Sequence, residues 1–228
     1  MEKIVLKNGI SVLLKKKECQ SVTIQVTFKV GSIYESLSQK GYSHLIEHVL
    51  FEGTTKRPCA RDITSEIENI GGEINAMTSN EQTTYYVKVP VSYDSIGVDV
   101  LSDMVINPLF EEDKIEKEKR IVLEEIKMIN DQPRYFQWLF FEKVLCENTP
   151  FEIPVYGFES VVSKATRKKL VAYYKKFYVP NNCVISIVGN YSENILSIIK
   201  KFFESWNTKK ISKNSVALPK NKKRFLTI

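Results

Sequence analysis

The stretch GYSHLIEHVLFEGT, residues 41–54, contains both histidines of a chain of 228 residues. Its apolar residues recur at helical spacing, and we predict a helix that runs through Phe51. Residues three and four positions apart share one face of a helix, so His44, Glu47 and His48 are predicted to lie together. A chain that uses histidine so sparingly therefore places both copies one helical turn apart.

Two imidazoles at this spacing project in parallel from successive turns and can hold one tetrahedral metal ion. The glutamate between them can act as a general base on a water molecule held by that metal. A pair of histidines four residues apart also arises by chance on helices, so the pair alone does not establish a metal site. A catalytic zinc usually has three protein ligands. Because no third histidine remains, the third ligand must be a cysteine or a carboxylate.

The segment 111–133, EEDKIEKEKRIVLEEIKMINDQP, is predicted to form a long amphipathic helix that ends or bends at its proline. At about 100° per residue, Glu118 and Glu125 fall within roughly 60° of the centre of the apolar stripe, whereas Glu124 falls on nearly the opposite face. Two interpretations stay open: the inward carboxylates meet a metal ion, or they only flank the stripe and pair with lysines. The stripe consists of Ile115, Val122, Ile126 and Ile129.

The remaining patterns interleave strands and helices without a linker or low-complexity stretch. They predict an α+β fold, a single mixed α/β domain with a largely antiparallel sheet packed against helices. Asn8-Gly9 is the predicted turn of an N-terminal hairpin, and Ser43 is the predicted N-cap of the histidine helix. Further strands are predicted within 21–32, 73–90 and 181–191, and further helices within 61–70, 91–108, 136–146, 166–180 and 193–206.

Composition excludes several classes of function. No apolar run approaches the ~18 residues of a membrane span, and the first residues lack a secretory leader. The four cysteines form no CxxC pair, so we expect idle thiols and a cytoplasmic location. The net charge of +6 comes largely from scattered lysine clusters without a nucleic-acid motif. We therefore expect neither a membrane nor a nucleic acid as partner.

The motif His44-x-x-Glu47-His48 is the reverse of His-Glu-x-x-His. Followed by Glu118 and Glu125 at these separations, it resembles the pitrilysin/insulinase family of zinc metallopeptidases, and most of all the bacterial members similar to mitochondrial processing peptidases. The similarity covers nearly the whole chain. It includes LKNGISVLL, KVGSIYES, GYSHLIEHVLFEGTTKRP, IENIGGEINAMTSNEQTTYY, LSDMVINPLFEEDKIEKEKRIVLEEIKMINDQP, PVYGFESV and FYVPNNCVISIVGNY.

The resemblance implies a zinc-dependent endopeptidase that hydrolyses peptides or small unfolded proteins. It implies that His44, His48 and Glu125 bind Zn2+ and that Glu47 is the general base. Glu118 would support a ligand histidine or contribute to the electrostatic field at the metal.

The resemblance also concerns substrate binding. In the segment GGEINAMTS, Asn75 and Ala76 match the positions that bind the substrate backbone near the scissile bond. An extended substrate would then add to a sheet edge beside the metal, and residues 73–87 are the candidate edge.

Members of this family consist of two similar halves that close like a clam shell, and the C-terminal half contributes an arginine and a tyrosine near the transition state. This chain matches the N-terminal half. We therefore expect residues 1–212 to form the zinc-binding domain and 213–228, which end in FLTI, to be a linker and the start of a C-terminal half. That half would be a required partner, in the same polypeptide or as a separate subunit. The alternative is a non-catalytic zinc-binding or scaffold subunit of a two-chain peptidase.

Overall fold

The computed structural model describes residues 1–207 and 211 of the chain. These residues form six strands and eight α-helices. The strands are β1 (Glu2–Val5), β2 (Ser11–Lys16), β3 (Ser21–Phe28), β4 (Glu73–Thr78), β5 (Thr83–Pro90) and β6 (Cys183–Gly189). The helices are α1 (Tyr42–Val49), α2 (Ala60–Glu68), α3 (Asp94–Ile106), α4 (Glu112–Asp131), α5 (Pro133–Leu145), α6 (Glu159–Val162), α7 (Arg167–Phe177) and α8 (Ile195–Phe203).

The six strands form one mixed sheet in the order β1-β2-β6-β3-β5-β4. Among the described residues, β2 and β6 are the one parallel pair, and the other four pairings are antiparallel. Helices pack against this sheet: α3 contacts β3 and β5, and α1 contacts β4 and β5. The predicted α+β fold with a largely antiparallel sheet is confirmed.

The period-two alternation of β3 places one face of the strand in the core. Its alternate residues are almost completely inaccessible to solvent, because they lie between the sheet and the helices. They are Val22, Ile24, Val26 and Phe28.

The N-terminal hairpin turns where the sequence predicts. Gly9 adopts a φ of 95°, which side-chain-bearing residues rarely adopt, and β1 pairs antiparallel with β2. The side-chain amide of Asn8 donates a hydrogen bond of 2.7 Å to the carbonyl of Phe203. The turn is thereby attached to the C-terminal end of α8.

The prediction that Ser43 is the N-cap of the histidine helix is wrong. The N-cap is Gly41, in the left-handed conformation with φ 99°, and Ser43 lies inside α1 with its hydroxyl 2.9 Å from that of Tyr173. The reason is that the cap comes from outside the helix. The carboxylate of Glu35 accepts the backbone N–H groups of Gly41 (2.8 Å) and Ser43 (2.6 Å).

The predicted apolar side of the long charged helix α4 faces the core. Ile115, Val122 and Ile126 are buried, whereas the Glu124 side chain is 73% exposed and pairs with Lys127. The helix ends at Asp131, and α5 begins at Pro133, as expected for proline at the first position of a new helix.

Helix α5 follows α4 directly and is exposed along its whole length. No residue of α5 is buried, although the helix is rich in large apolar side chains on all sides. A helix that is apolar all round is normally covered. Its exposed apolar residues, here called the α5 patch, are Tyr135, Phe136, Trp138, Phe140, Phe141, Val144 and Leu145.

Three further expectations concern membrane spans, cysteines and the end of the chain. No helix in the described part is long and apolar enough to cross a lipid bilayer. The four cysteines are free thiols in the structure. The predicted linker 213–228, with its terminal FLTI, lies outside the described residues.

Candidate metal centre

Packing of α1 against α4 brings the two histidines and Glu125 into one cluster. One ligand atom from each of the three side chains lies within 4.8 Å of the others. Glu125 Oε2 is 3.9 Å from Nε2 of His44 and 3.6 Å from Nε2 of His48. All three side chains are partly buried, with 19–34% of their surface exposed.

The two imidazoles have different electrostatic environments. Burial and the nearby His48 lower the pKa of His44 to about 4, so its ring is neutral and carries a free lone pair at neutral pH. Burial also lowers the pKa of His48, but the hydrogen bond to Glu118 and the charges of Glu125 and Glu47 outweigh burial and raise that pKa overall. The acidic side chains around His48 therefore favour a positive charge at this position.

The donor set fits a zinc ion. Two imidazole nitrogens and one carboxylate oxygen at tetrahedral zinc are separated by roughly 3.3–3.5 Å, because each bond is about 2.0–2.2 Å long. The observed separations of 3.6 and 3.9 Å to Glu125 are only slightly longer. Three protein ligands leave a fourth position for water or substrate, which is the arrangement of catalytic zinc sites.

Glu118 is 6% exposed at its side chain and is the buried carboxylate behind the cluster. Its Oε2 lies 3.0 Å from Nδ1 of His48, and its Oε1 lies 3.3 Å from Nζ of Lys117. Burial raises the pKa of Glu118, but the hydrogen bond to His48 and other polar neighbours lower it overall. This inward carboxylate thus contacts both a lysine and a candidate metal ligand, and the interpretation that it meets a metal ion stays a prediction.

Glu47 lies on the same helix between the two histidines. The hydroxyl of Thr78, at the end of β4, donates a hydrogen bond to Oε2 of Glu47. Burial raises the pKa of Glu47, and the bond from Thr78 lowers it by less. A carboxylate with a raised pKa and one oxygen held in place is suited to accept a proton from a neighbouring group.

Asn75 and Ala76 lie in β4, which is at the edge of the sheet and packs against α1. The side-chain oxygen of Asn75 accepts the backbone N–H of Ala76 at 2.8 Å. The structure therefore places both residues on an edge strand beside the helix that carries the histidines.

Two side chains around the cluster were not predicted from the sequence. Thr78 could have been found, since period-two alternation puts it on the same face of β4 as Ala76. No local sequence pattern indicated Glu35, because it lies in an irregular loop six residues before Gly41.

Comparisons with known proteins agree with this architecture. Residues 11–155 match the family described as Insulinase (Peptidase family M16), and residues 164–228 match the Peptidase M16 inactive domain. An uncharacterized zinc protease of Bacillus subtilis is 34% identical over 210 residues, which are 92% of this chain and 51% of that protein. A probable mitochondrial-processing peptidase subunit beta of Arabidopsis thaliana is 34% identical over 200 residues, 87% of this chain and 38% of that protein.

Solved structures show the same fold at lower sequence identity. The first half of a periplasmic protease from Escherichia coli superposes with a TM-score of 0.88 and 22% identity, covering 97% of this chain and 49% of that one. A protease from Helicobacter pylori has a TM-score of 0.82 and 24% identity, with coverages of 96% and 53%. The chain spans about half the length, or less, of the curated relatives named above. With more than half of its residues matched, the chain belongs to the insulinase family of peptidases, family M16.

Proposed function

We propose that this chain is the metal-binding half of a zinc endopeptidase that hydrolyses peptides or small unfolded proteins. The observation that carries the proposal is the cluster of His44, His48 and Glu125, whose ligand atoms lie within 4.8 Å of one another. Family membership supports a peptidase function in general, and the zinc proteases among the relatives support the metal.

In this proposal His44, His48 and Glu125 hold Zn2+. When bound, the zinc would acidify a water molecule and polarise the carbonyl of the scissile peptide bond. Glu118 accepts a hydrogen bond from Nδ1–H of His48, which directs the lone pair on Nε2 toward Glu125 and the metal position.

Glu47 is the proposed general base. Its Oε1 accepts the proton of the attacking water and then delivers it to the leaving amine, because Oε2 is already held by Thr78. The raised pKa of Glu47 makes its carboxylate a better proton acceptor and so favours the first of these transfers.

The edge strand β4 is the proposed binding site for substrate. An extended peptide can add to a sheet edge through main-chain hydrogen bonds, which do not depend on the side chains of the peptide. Asn75 and Ala76 would bind the substrate backbone, and the N–H of Ala76 would exchange its bond with the Asn75 side chain for one with the substrate.

The proposed partner is a C-terminal half, in the same polypeptide or as a separate subunit. Two observations support it: the chain spans only about half of its relatives, and the α5 patch leaves seven large apolar side chains 44–67% exposed. The division at residues 212 and 213 and a cytoplasmic location remain part of the proposal.

The test is the zinc content of the purified chain beside two matched variants. Glu125→Gln removes the proposed third ligand, and Glu124→Gln changes the neighbouring carboxylate, which is 73% exposed. We expect near-stoichiometric zinc in the unmutated chain and in Glu124→Gln, and little zinc in Glu125→Gln.

The opposite results have clear meanings. Equal zinc loss in both variants would contradict Glu125 as a ligand. If the unmutated chain took up no zinc even from added zinc, the metallopeptidase proposal would fail for this chain, and a scaffold subunit would be the better interpretation.

A further inference from the structure

The two histidines of the cluster are supported in different ways. His48 is oriented through its ring, because Nδ1 lies 3.0 Å from Glu118 Oε2. In the described part of the chain, the buried Nδ1 of His44 has no hydrogen-bond partner. Apart from its contacts with His48 and Glu125 inside the cluster, the position of His44 therefore depends on the backbone that carries it.

That backbone is the first turn of α1, whose leading N–H groups have no partner within the helix. The first intrahelical bond joins Leu45 N–H to the carbonyl of Gly41, at 3.0 Å. Before it, the N–H groups of Gly41 and Ser43 both donate to Glu35, one to each carboxylate oxygen. His44 follows Ser43 directly, so this carboxylate holds the turn from which the ring projects.

Glu35 is itself firmly placed. It is 6% exposed and lies in the loop between β3 and α1. Burial raises its pKa, while the two backbone N–H groups and the charge of Lys40 act in the lowering direction. Lys40 is also buried, and its Nζ donates a 2.6 Å hydrogen bond to the carbonyl of Ser32, which fixes the same loop.

We propose that Glu35 is a positioning residue of the metal centre, which sets the place of His44 by capping the first turn of α1 from outside the helix. This inference rests on the proposed function, because it assigns Glu35 a role in zinc binding. Fraying of the first turn would move the His44 ring away from His48, which Glu118 contacts, and from Glu125, which α4 carries.

The first test compares zinc affinities of folded variants by competition with a chelator. Glu35→Gln keeps the shape of the side chain but presents an NH2 group to one of the two N–H donors. We expect its zinc affinity to fall at least about tenfold, as for other residues that orient metal ligands. A role confined to stability would lower the urea midpoint and leave zinc affinity unchanged.

Asp94→Asn is the matched control. Asp94 is the first residue of α3 and is 4% exposed. Its carboxylate accepts the backbone N–H of Ser192, shortly before α8, at 2.8 Å. We expect this variant to lose stability while its zinc affinity stays within about twofold of the unmutated chain. An equal loss of zinc affinity in both variants would overturn the specific role of Glu35.

A second measurement decides the question if Glu35→Gln does not fold. Coupling between two sites is reciprocal, so if the cap favours zinc binding, zinc must favour the cap. In the unmutated chain, zinc should slow the hydrogen exchange of the Gly41 and Ser43 amides more than that of the Ser192 amide. Equal exchange with and without zinc would overturn the proposal.

The two proposals fail in different measurements. Lack of zinc binding by the unmutated chain would contradict the proposed function and, with it, the role of Glu35. Zinc binding by the unmutated chain with equal affinity in Glu35→Gln would overturn only the role of Glu35.

Discussion

At the residue scale, the hydrogen bond between His48 and Glu118 links α1 to α4 at the candidate metal centre. A neutral imidazole that donates from one nitrogen presents a lone pair on the other, and a carboxylate acceptor makes that lone pair more basic. The Glu118 side chain is 6% exposed, so solvent screens this bond little.

We predict that Glu118→Gln weakens zinc binding by about 10- to 100-fold, because a neutral amide orients His48 without raising its basicity. Chelator competition measures the change. Glu116→Gln on the same helix is the control, since Glu116 is 63% exposed and pairs with Lys119. Unchanged zinc affinity in Glu118→Gln would show that Glu118 only fills space beside His48.

At the element scale, Arg57 joins the segment after α1 to two other helices. Its guanidinium makes two hydrogen bonds to Glu66 in α2, at 2.6 and 2.8 Å. It also lies 3.1 Å from both Asp99 and Asp103 in α3. Among these carboxylates Asp103 is the most buried, with 1% of its side chain exposed, and it also accepts a hydrogen bond from Thr54.

We predict that Arg57→Ala destabilises the fold by about 3–5 kcal/mol, because it leaves the buried Asp103 without its cation. Lys56→Ala is the matched control: Lys56 pairs with Asp99 at 2.6 Å, but its side chain is 53% exposed. Its loss should cost less than about 1 kcal/mol. Urea unfolding measures both values, and similar losses would contradict a dominant role for the buried network.

At the scale of the whole molecule, the α5 patch is a large apolar surface that stays uncovered in the described part of the chain. Trp138 and Phe141 form an edge-to-face pair with ring centroids 5.7 Å apart, and their exposed fractions are 60% and 52%. Such an apolar surface favours association with another protein surface. The proposed C-terminal half would account for this exposure if it packs on the α5 patch.

We predict that the chain without a second half self-associates, and that Trp138→Ser with Phe141→Ser reduces this association. Both side chains are largely exposed, so the free energy of unfolding should change by no more than about 0.5 kcal/mol per substitution. Light scattering should show a shift toward the monomer mass of 26.3 kDa. A Gln137→Ser control should leave association unchanged, and a doubly substituted chain that associates as before would argue against the patch.

Periodicity predicted much of this molecule because it depends only on which residues share a face. It predicted the buried face of β3 and the opposite orientations of Glu124 and Glu125 on α4, while the Asn8-Gly9 pair predicted the hairpin turn. The N-cap prediction at Ser43 was wrong, because the carboxylate of Glu35, which lies outside the helix, accepts the N–H groups at the start of α1.

The sequence alone therefore determined the types of the elements, their inward faces and the residues that could bind a metal, since these follow from local spacing. Tertiary structure decided the strand order, in which β6 inserts between β2 and β3, and the packing of α1 on α4 that joins His48 to Glu125. It also decided that Glu35 caps α1 and that Thr78 meets Glu47. These contacts join residues that no local spacing relates, so only the packing of the folded chain brings them together.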